Sequence, residues 1–299
     1  MSSTTYFYLY KITIEPHEDG DFSSFKEILE NPIDSPIKLA KKGNQFQLDG
    51  QIKKINGFYT GTFCLIQKDE LPTKAKFGEE PLNVFDDDDD SGLGHYTSFV
   101  YDASNEVIAI QSNKNGVSAN GLIAYFRRNY RVKEIFLEII INPDELEKLQ
   151  KMTSISSFVV TIAKPESGTS FNNPNQPKAI SEMTEIADKT DANTMTLQLS
   201  IGYEKNATLR KGTISSYVRS LFSKNQIHDV RKVEIRGKES DENNLETLDL
   251  VTKKVSIPIV YTTPKTITPK ILREIIKEVI DKYTVLKPQI DRTYKVKRR

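Results

Sequence analysis

The sequence is short of the residue types from which most catalytic and metal-binding sites are built. In 299 residues it has one cysteine, three histidines and no tryptophan. The single Cys64 excludes an internal disulfide bond, which suits a reducing compartment, and the scattered histidines do not match zinc-ligand spacing. No nucleophile-elbow, Walker, dinucleotide-binding or His-Glu-x-x-His motif occurs. We therefore expect no catalytic residues, no bound metal and no cofactor.

Long apolar segments are absent as well. No run approaches the roughly 20 apolar residues that a membrane-spanning helix needs, and the N-terminal segment lacks the basic and apolar regions of a signal peptide. We expect a cytosolic protein with no direct membrane insertion. Two domains are expected from a chain of 299 residues, because single cores stop growing at about 250–300 residues.

Short segments of alternating hydrophobicity, separated by turn residues and amphipathic stretches, predict an α+β fold with mixed, largely antiparallel sheets and flanking helices. Residues 165–178 are rich in proline, asparagine and serine, which is typical of a flexible connection. We therefore predict an acidic α+β domain over 1–165, a linker and helix over 166–190, and a basic α+β domain over 191–299. The last of these ends in an amphipathic helix and a basic tail.

Three local signals are specific enough to predict individual turns and helix ends. Asn56-Gly57 favours a tight β-hairpin, because both residues accept positive φ at low cost. Asn142-Pro143 and Thr268-Pro269 each combine a capping side chain with a proline at the first helical position. The helix predicted after Thr268 carries a wide apolar stripe, which either packs on the sheet of the second domain or forms the seam of a homodimer.

Charge is sorted along the chain. Residues 1–202 hold 20 Lys and Arg against 29 Asp and Glu, whereas residues 203–299 hold 22 against 12. A net charge of −9 is thus followed by one of +10. This asymmetry is expected when one end of a protein meets a polyanion and the other does not.

The basic residues of the second half indicate binding to double-stranded DNA. They flank predicted strands at 230–236 and 253–260, and pairing of these strands would align their cations along one edge to follow a phosphate backbone. The competing explanation is a solvated surface whose cations serve solubility. The candidate DNA-binding residues are Lys205, Arg210, Lys211, Arg219, Arg231, Lys232, Arg236, Lys253, Lys254, Lys295, Lys297, Arg298 and Arg299.

Acidic residues offer two weaker interpretations. The run Asp86–Asp90 partly matches a calcium-binding loop, but Ser98 stands where the bidentate glutamate is needed. The triplet Glu234-Ile235-Arg236 has arginine where a metal-dependent nuclease would place lysine. We therefore favour a non-catalytic protein over a nuclease.

Three stretches resemble RexA-like phage-exclusion proteins and a related bacterial and prophage family: Tyr6–Tyr10, the block Leu93–Asp102 that runs on through Val107–Ser118, and Val159–Pro165. The resemblance implies a two-domain, dimeric protein that binds DNA without strong sequence preference and acts in phage exclusion, with a membrane-protein partner. It assigns no site residues. The alternative is a phage-encoded or prophage-encoded interaction protein that inhibits a host defence complex, in which the Asp86–Asp90 loop imitates nucleic acid.

Overall fold

A computed structural model describes residues 2–17, 20, 22–41, 44–68, 71, 92–163, 178–204, 207–221, 229–240, 244–251, 254–262 and 267–293. It consists of two compact units. Unit 1 combines Met1–Leu137 with Ser256–Arg299, and unit 2 is the intervening segment Glu138–Val255. Among the described residues, no helix is both long enough and apolar enough to cross a lipid bilayer.

The elements follow one another in chain order as strands β1–β13 and helices α1–α6. They are β1 Ser2–Glu15, α1 Phe25–Glu30, β2 Leu39–Lys41, β3 Asn44–Leu48, β4 Lys53–Ile55, β5 Phe58–Gln67, β6 Leu93–Asp102, β7 Val107–Gln111, α2 Ala119–Tyr130, β8 Glu134–Ile139, α3 Pro143–Lys151, β9 Ser154–Ala163, α4 Lys178–Lys189, β10 Thr194–Ser200, α5 Lys211–Leu221, β11 Asp229–Lys238, β12 Glu246–Asp249, β13 Ser256–Thr262 and α6 Pro269–Thr293.

Unit 1 is built around a nine-stranded sheet with the order β13-β1-β7-β6-β5-β3-β2, to which β4 and β8 are attached. Its register pairs are antiparallel, and β13 continues the sheet beyond β1 with Phe7 opposite Ile257. Aromatic side chains from α1 and α2 form the core on one face, where Phe25 and Phe126 meet edge to face at 5.0 Å. Helix α6 packs against β13 and β6.

Unit 2 is a four-stranded antiparallel sheet with the order β10-β9-β11-β12. Alternate residues of β9 and β11, such as Phe158 and Ile235, are fully buried. They form a core with apolar residues of α3, α4 and α5, including Leu149, Ala187 and Ile214. The remaining strand positions are polar or half-exposed and form what we call the open face of this sheet.

The predicted α+β class is confirmed, but the units do not follow the predicted boundaries of 1–165 and 191–299. Strand β9 lies at the centre of the unit 2 sheet, whereas β13 and α6 belong to unit 1. Helix α4, which was predicted as part of a linker, contacts β10 within unit 2. Long-range strand pairing therefore overrides the change in composition that suggested the boundary.

The apolar stripe of α6 is used inside unit 1. Its residues are between 0% and 8% exposed at Leu272, Ile275, Ile276, Val279, Ile280 and Tyr283. Helix α6 packs on β13, a strand of the predicted second domain, and on β6 of the predicted first domain, and both strands belong to the sheet of unit 1. These six side chains are therefore already buried within a single chain, although α6 also carries Val285, which is 80% exposed.

Candidate nucleic-acid interface

Six of the predicted DNA-binding residues, Lys205, Lys253, Lys295, Lys297, Arg298 and Arg299, lie outside the described part of the chain. The side chain of Arg219 is likewise outside it. The other six lie in unit 2: Arg210, Lys211, Arg231, Lys232, Arg236 and Lys254.

These six residues are not brought onto one edge by strand pairing. Strand β11 carries Lys232 and Arg236 and pairs with β9 and β12, while the strand after Lys254 pairs with β1 in unit 1. Strands 230–236 and 253–260 therefore do not pair with each other, and the shared edge of cations that their pairing would create is not formed.

Several of these cations also have local partners. The ammonium group of Lys211 donates to the backbone carbonyl of Gln150 in the last turn of α3. Lys232 forms an ion pair with Glu234 at 2.8 Å on the open face of the sheet. Arg210 and Arg236 are exposed, but Arg210 precedes α5 on the helical side and Arg236 lies on the open face. The described cations of unit 2 are thus divided between its two sides.

The charge sorting along the sequence does not become a difference between the units. Unit 2 holds 16 Lys and Arg against 17 Asp and Glu, a net charge of −1. Unit 1 holds 26 against 24, a net charge of +2. Most of the acidic segment 1–202 and the basic C-terminal segment belong to the same unit. Net charge therefore does not identify a DNA-binding domain.

The structure instead concentrates cations in a cleft of unit 1 that the sequence reasoning missed. The cleft has a volume of about 530 Å³ and lies at the C-terminal end of α2, beside β2 and the start of β8. We call it the cationic cleft. It is lined by His17, Leu39, Ala124, Arg127, Arg128, Arg131, Val132 and Lys133.

Two of its four Lys and Arg residues are paired with carboxylates. Both carboxylate oxygens of Glu134 accept hydrogen bonds from Arg127, at 3.0 and 3.1 Å. Lys133 is 2.5 Å from a carboxylate oxygen of Glu15. The side chains of these four residues are between 37% and 59% exposed, so the pairs are screened by solvent and can exchange partners.

Arg128 and Arg131 are the other two cations. Both are exposed, and no hydrogen bond or ion pair from their guanidinium groups is found within the described residues. A guanidinium presents a planar fork of donors that matches the oxygens of a phosphate group. The guanidinium groups of these two arginines are exposed to solvent at the cationic cleft.

The backbone that carries the cleft is held firmly by local chemistry. Arg131 ends α2 in the left-handed conformation, with φ 51° and ψ 37°. Asn129 clamps the chain before β2, because its side chain accepts from the amide of Ile37 at 2.6 Å and donates to the Ile37 carbonyl at 3.2 Å. Tyr130 packs edge to face on Phe22 at 5.4 Å. The cations thus project from a fixed platform.

Helix stabilisation explains only part of this cluster. Arg127 and Arg128 lie in the last turn of α2, where cations interact favourably with the helix dipole by about 0.3–1 kcal/mol each. Arg131 and Lys133 lie beyond the last helical residue and gain less, because the effect fades within one turn. A signal was present in the sequence, since four of the seven residues from 127 to 133 are Lys or Arg. It was hidden because these residues lie in the acidic half.

The cleft has the chemistry of anion binding. Its lining combines guanidinium, ammonium and imidazole groups with apolar residues, and two described acidic residues beside it, Glu15 and Glu134, form ion pairs with its cations. Nowhere in the described residues do three or more His, Cys, Asp or Glu side chains form a group able to hold a metal ion. The predicted acidic loop Asp86–Asp90 lies outside the described residues.

The fold and the cleft define a two-unit α+β protein with a solvent-accessible cationic groove in its larger unit. Residues 31–292 match the domain family described as a family of unknown function (DUF6731), and the chain belongs to that family. No curated protein matches the chain.

Proposed function

We propose that this protein binds the phosphate backbone of duplex DNA through the cationic cleft, largely without reading sequence, as part of a phage-exclusion system. The observation that carries the DNA-binding part is the pair Arg128 and Arg131, exposed where α2 ends, beside two further cations. The phage-exclusion setting rests on the resemblance to RexA-like proteins, which also suggests a membrane-protein partner.

Backbone contact is favoured over base reading by the composition of the cleft. Sequence reading in the major groove requires a helix or ribbon that places side chains against base edges. Here the cations follow the end of α2 and the turn after it, and no long basic helix face is involved. Such a cluster neutralises phosphates and releases counterions on any sequence.

The test is equilibrium binding of the full chain to short labelled duplexes of unrelated sequence. Replacing Arg128 and Arg131 together by glutamine removes two phosphate contacts. Each contact adds about 0.7 to log K at about 0.15 M salt, so the double variant should bind about 30-fold more weakly. The loss should be the same on every duplex.

A matched control replaces Lys114 and Lys277, two exposed lysines of unit 1 outside the cleft, by glutamine. It removes the same charge and should leave affinity nearly unchanged. Equal losses in the two double variants would show that total charge matters and the cleft does not. A loss confined to one duplex would indicate base reading instead.

The two glutamates that pair with cations of the cleft allow a second test, in which substitution should strengthen binding. Glu15→Gln releases Lys133, and Glu134→Gln releases Arg127, from their ion pairs. Both substitutions should strengthen DNA binding severalfold. In the wild type, Lys133 and Arg127 must break an ion pair with a carboxylate before they contact a phosphate, and in the variants they need not. Unchanged affinity in both variants would exclude Lys133 and Arg127 from the interface.

A further inference from the structure

Among the described strands, those at the two ends of each sheet's main order, β13 and β2 in unit 1 and β10 and β12 in unit 2, differ in how they are protected against pairing with another chain. Natural edge strands are kept apart by short length, charge, proline or bulges. In unit 1, β2 has only three residues, and β13 contains Pro258, whose carbonyl accepts a hydrogen bond from Lys282 at 2.6 Å. In unit 2, the four-residue β12 carries Glu246 and Asp249.

Strand β10, the other edge of unit 2, has none of these features. Its seven residues, Thr-Met-Thr-Leu-Gln-Leu-Ser, include no charged residue and no proline. Its register with β9 runs from Thr194 to Ser200 without a bulge. An uncharged, regular edge of this length is a template for a further strand.

The side chains of β10 also show an incomplete core. Met195, Leu197 and Leu199 face the helices but are only half-buried, whereas their partners on β9 are buried. Helix α4 contacts β10 and leaves Ile186 63% exposed. Apolar groups on both layers at this edge would be covered if the sheet and its helical layer continued.

We propose that two copies of the chain pair through β10 in antiparallel orientation and form a continuous eight-stranded sheet. A two-fold axis at Leu197 places Thr196 opposite Gln198, Met195 opposite Leu199 and Thr194 opposite Ser200. This register keeps the apolar side chains of both copies on the helical side, where the two Ile186 side chains extend the same layer. The absence of charge in β10 means that self-pairing brings no like charges together.

The test is the solution mass of the full chain, 34.0 kDa as a monomer, by light scattering at tens of micromolar protein. Wild type should have twice the monomer mass. Replacing Thr196 and Gln198 by lysine puts like charges directly opposite each other across the axis and should raise the dissociation constant at least about tenfold. Both positions are exposed, so each protomer should keep its fold.

Two comparisons make the result specific. Replacing Asn244 and Thr247 by lysine adds the same charge at the opposite edge of the sheet and should leave the dimer intact. Mixing the Thr196→Lys/Gln198→Lys chain with a Thr196→Glu/Gln198→Glu chain should restore the dimer mass. A monomeric wild type, or a double-lysine variant that stays dimeric, would overturn the proposal.

Hydrogen exchange on the wild type tests the same interface without substitutions. Alternate amides of residues 194–200 should become protected as the protein concentration rises through the dissociation constant. Protection that does not change with concentration would contradict pairing through β10.

Discussion

The buried ion pair between α6 and the end of β6 gives the sharpest stability prediction. Asp102 accepts hydrogen bonds from Lys287 at 2.6 Å, from Tyr283 at 3.2 Å, and from the Ser104 amide and hydroxyl at 2.9 and 2.7 Å. Burial opposes ionisation of Asp102, but the bonds from Lys287 and Ser104 and the charge of Lys287 outweigh it and hold the pKa of this carboxyl below its usual value. The pair fastens the C-terminal half of α6 to the sheet.

Replacing Lys287 by methionine keeps the apolar stem and leaves the carboxylate without its cation. Breaking a fully buried pair costs about 3–5 kcal/mol, and exposed pairs contribute about 0–1 kcal/mol. The Lys287 side chain is 29% exposed and that of Asp102 is 7% exposed. We therefore expect a loss of about 2 kcal/mol, which shifts the melting temperature of a unit this size by about 4–8 °C.

The effect should depend on pH in a defined direction. Because the folded-state pKa of Asp102 is lowered, its contribution is complete above the unfolded-state pKa of about 3.9 and is lost as pH falls through the folded-state value. Urea unfolding should show the full difference between wild type and Lys287→Met at pH 7 and a shrinking difference below about pH 4.

The control is Lys277→Met, which removes an exposed lysine from the same helix. It should change stability by less than about 0.5 kcal/mol. A Lys287→Met variant as stable as this control at pH 7, or a difference that does not decrease in acid, would refute the assigned role of the pair.

Three further predictions follow from the packing and the charges. Gly61→Ala should lower stability by about 1–3 kcal/mol in urea unfolding, because its Cβ would lie 2.6 Å from the buried Phe99 ring, whereas Gly212→Ala, with nothing within 4 Å, should be neutral or stabilising. The fragment 138–255 should give a cooperative unfolding transition by circular dichroism, whereas a fragment starting at residue 190 should not, because it lacks β9. Removing the four cations of the C-terminal tail should flatten the salt dependence of DNA binding by up to about 3–4 units if the tail adds contacts, and an unchanged slope would remove it from the interface.

Local structure was predictable where short-range chemistry decides it. Asn56 and Gly57 adopt φ values of 51° and 87° in the turn between β4 and β5, as the dipeptide predicted. Asn142 caps α3 by accepting from the Asp144 amide at 3.0 Å, and Thr268 accepts from the Ile271 amide at 3.4 Å. Each of these features depends on residues within four positions of one another.

The pairing of distant strands could not be predicted in the same way. The pattern of β13 shows an alternating strand, but nothing in it specifies β1, about 250 residues earlier, as its partner. For this reason the two units differ from the predicted domains. The basic residues were expected to share one domain because charge was counted along the chain, and such a count does not show that the C-terminal segment packs with the N-terminal segment in unit 1. The cationic cleft depends on the same long-range folding, since His17 and Leu39 meet the end of α2 only in the folded unit.

The most direct test of the proposed function is the salt dependence of duplex binding by the Arg128→Gln/Arg131→Gln variant. If both guanidinium groups contact phosphates in the cationic cleft, the slope of log K against log salt should be shallower than that of wild type by about 1.8. The Lys114→Gln/Lys277→Gln control should keep the wild-type slope. A folded cleft variant with the wild-type slope would contradict the assignment of the cleft, and a wild type without salt-sensitive binding would contradict the DNA-binding function itself.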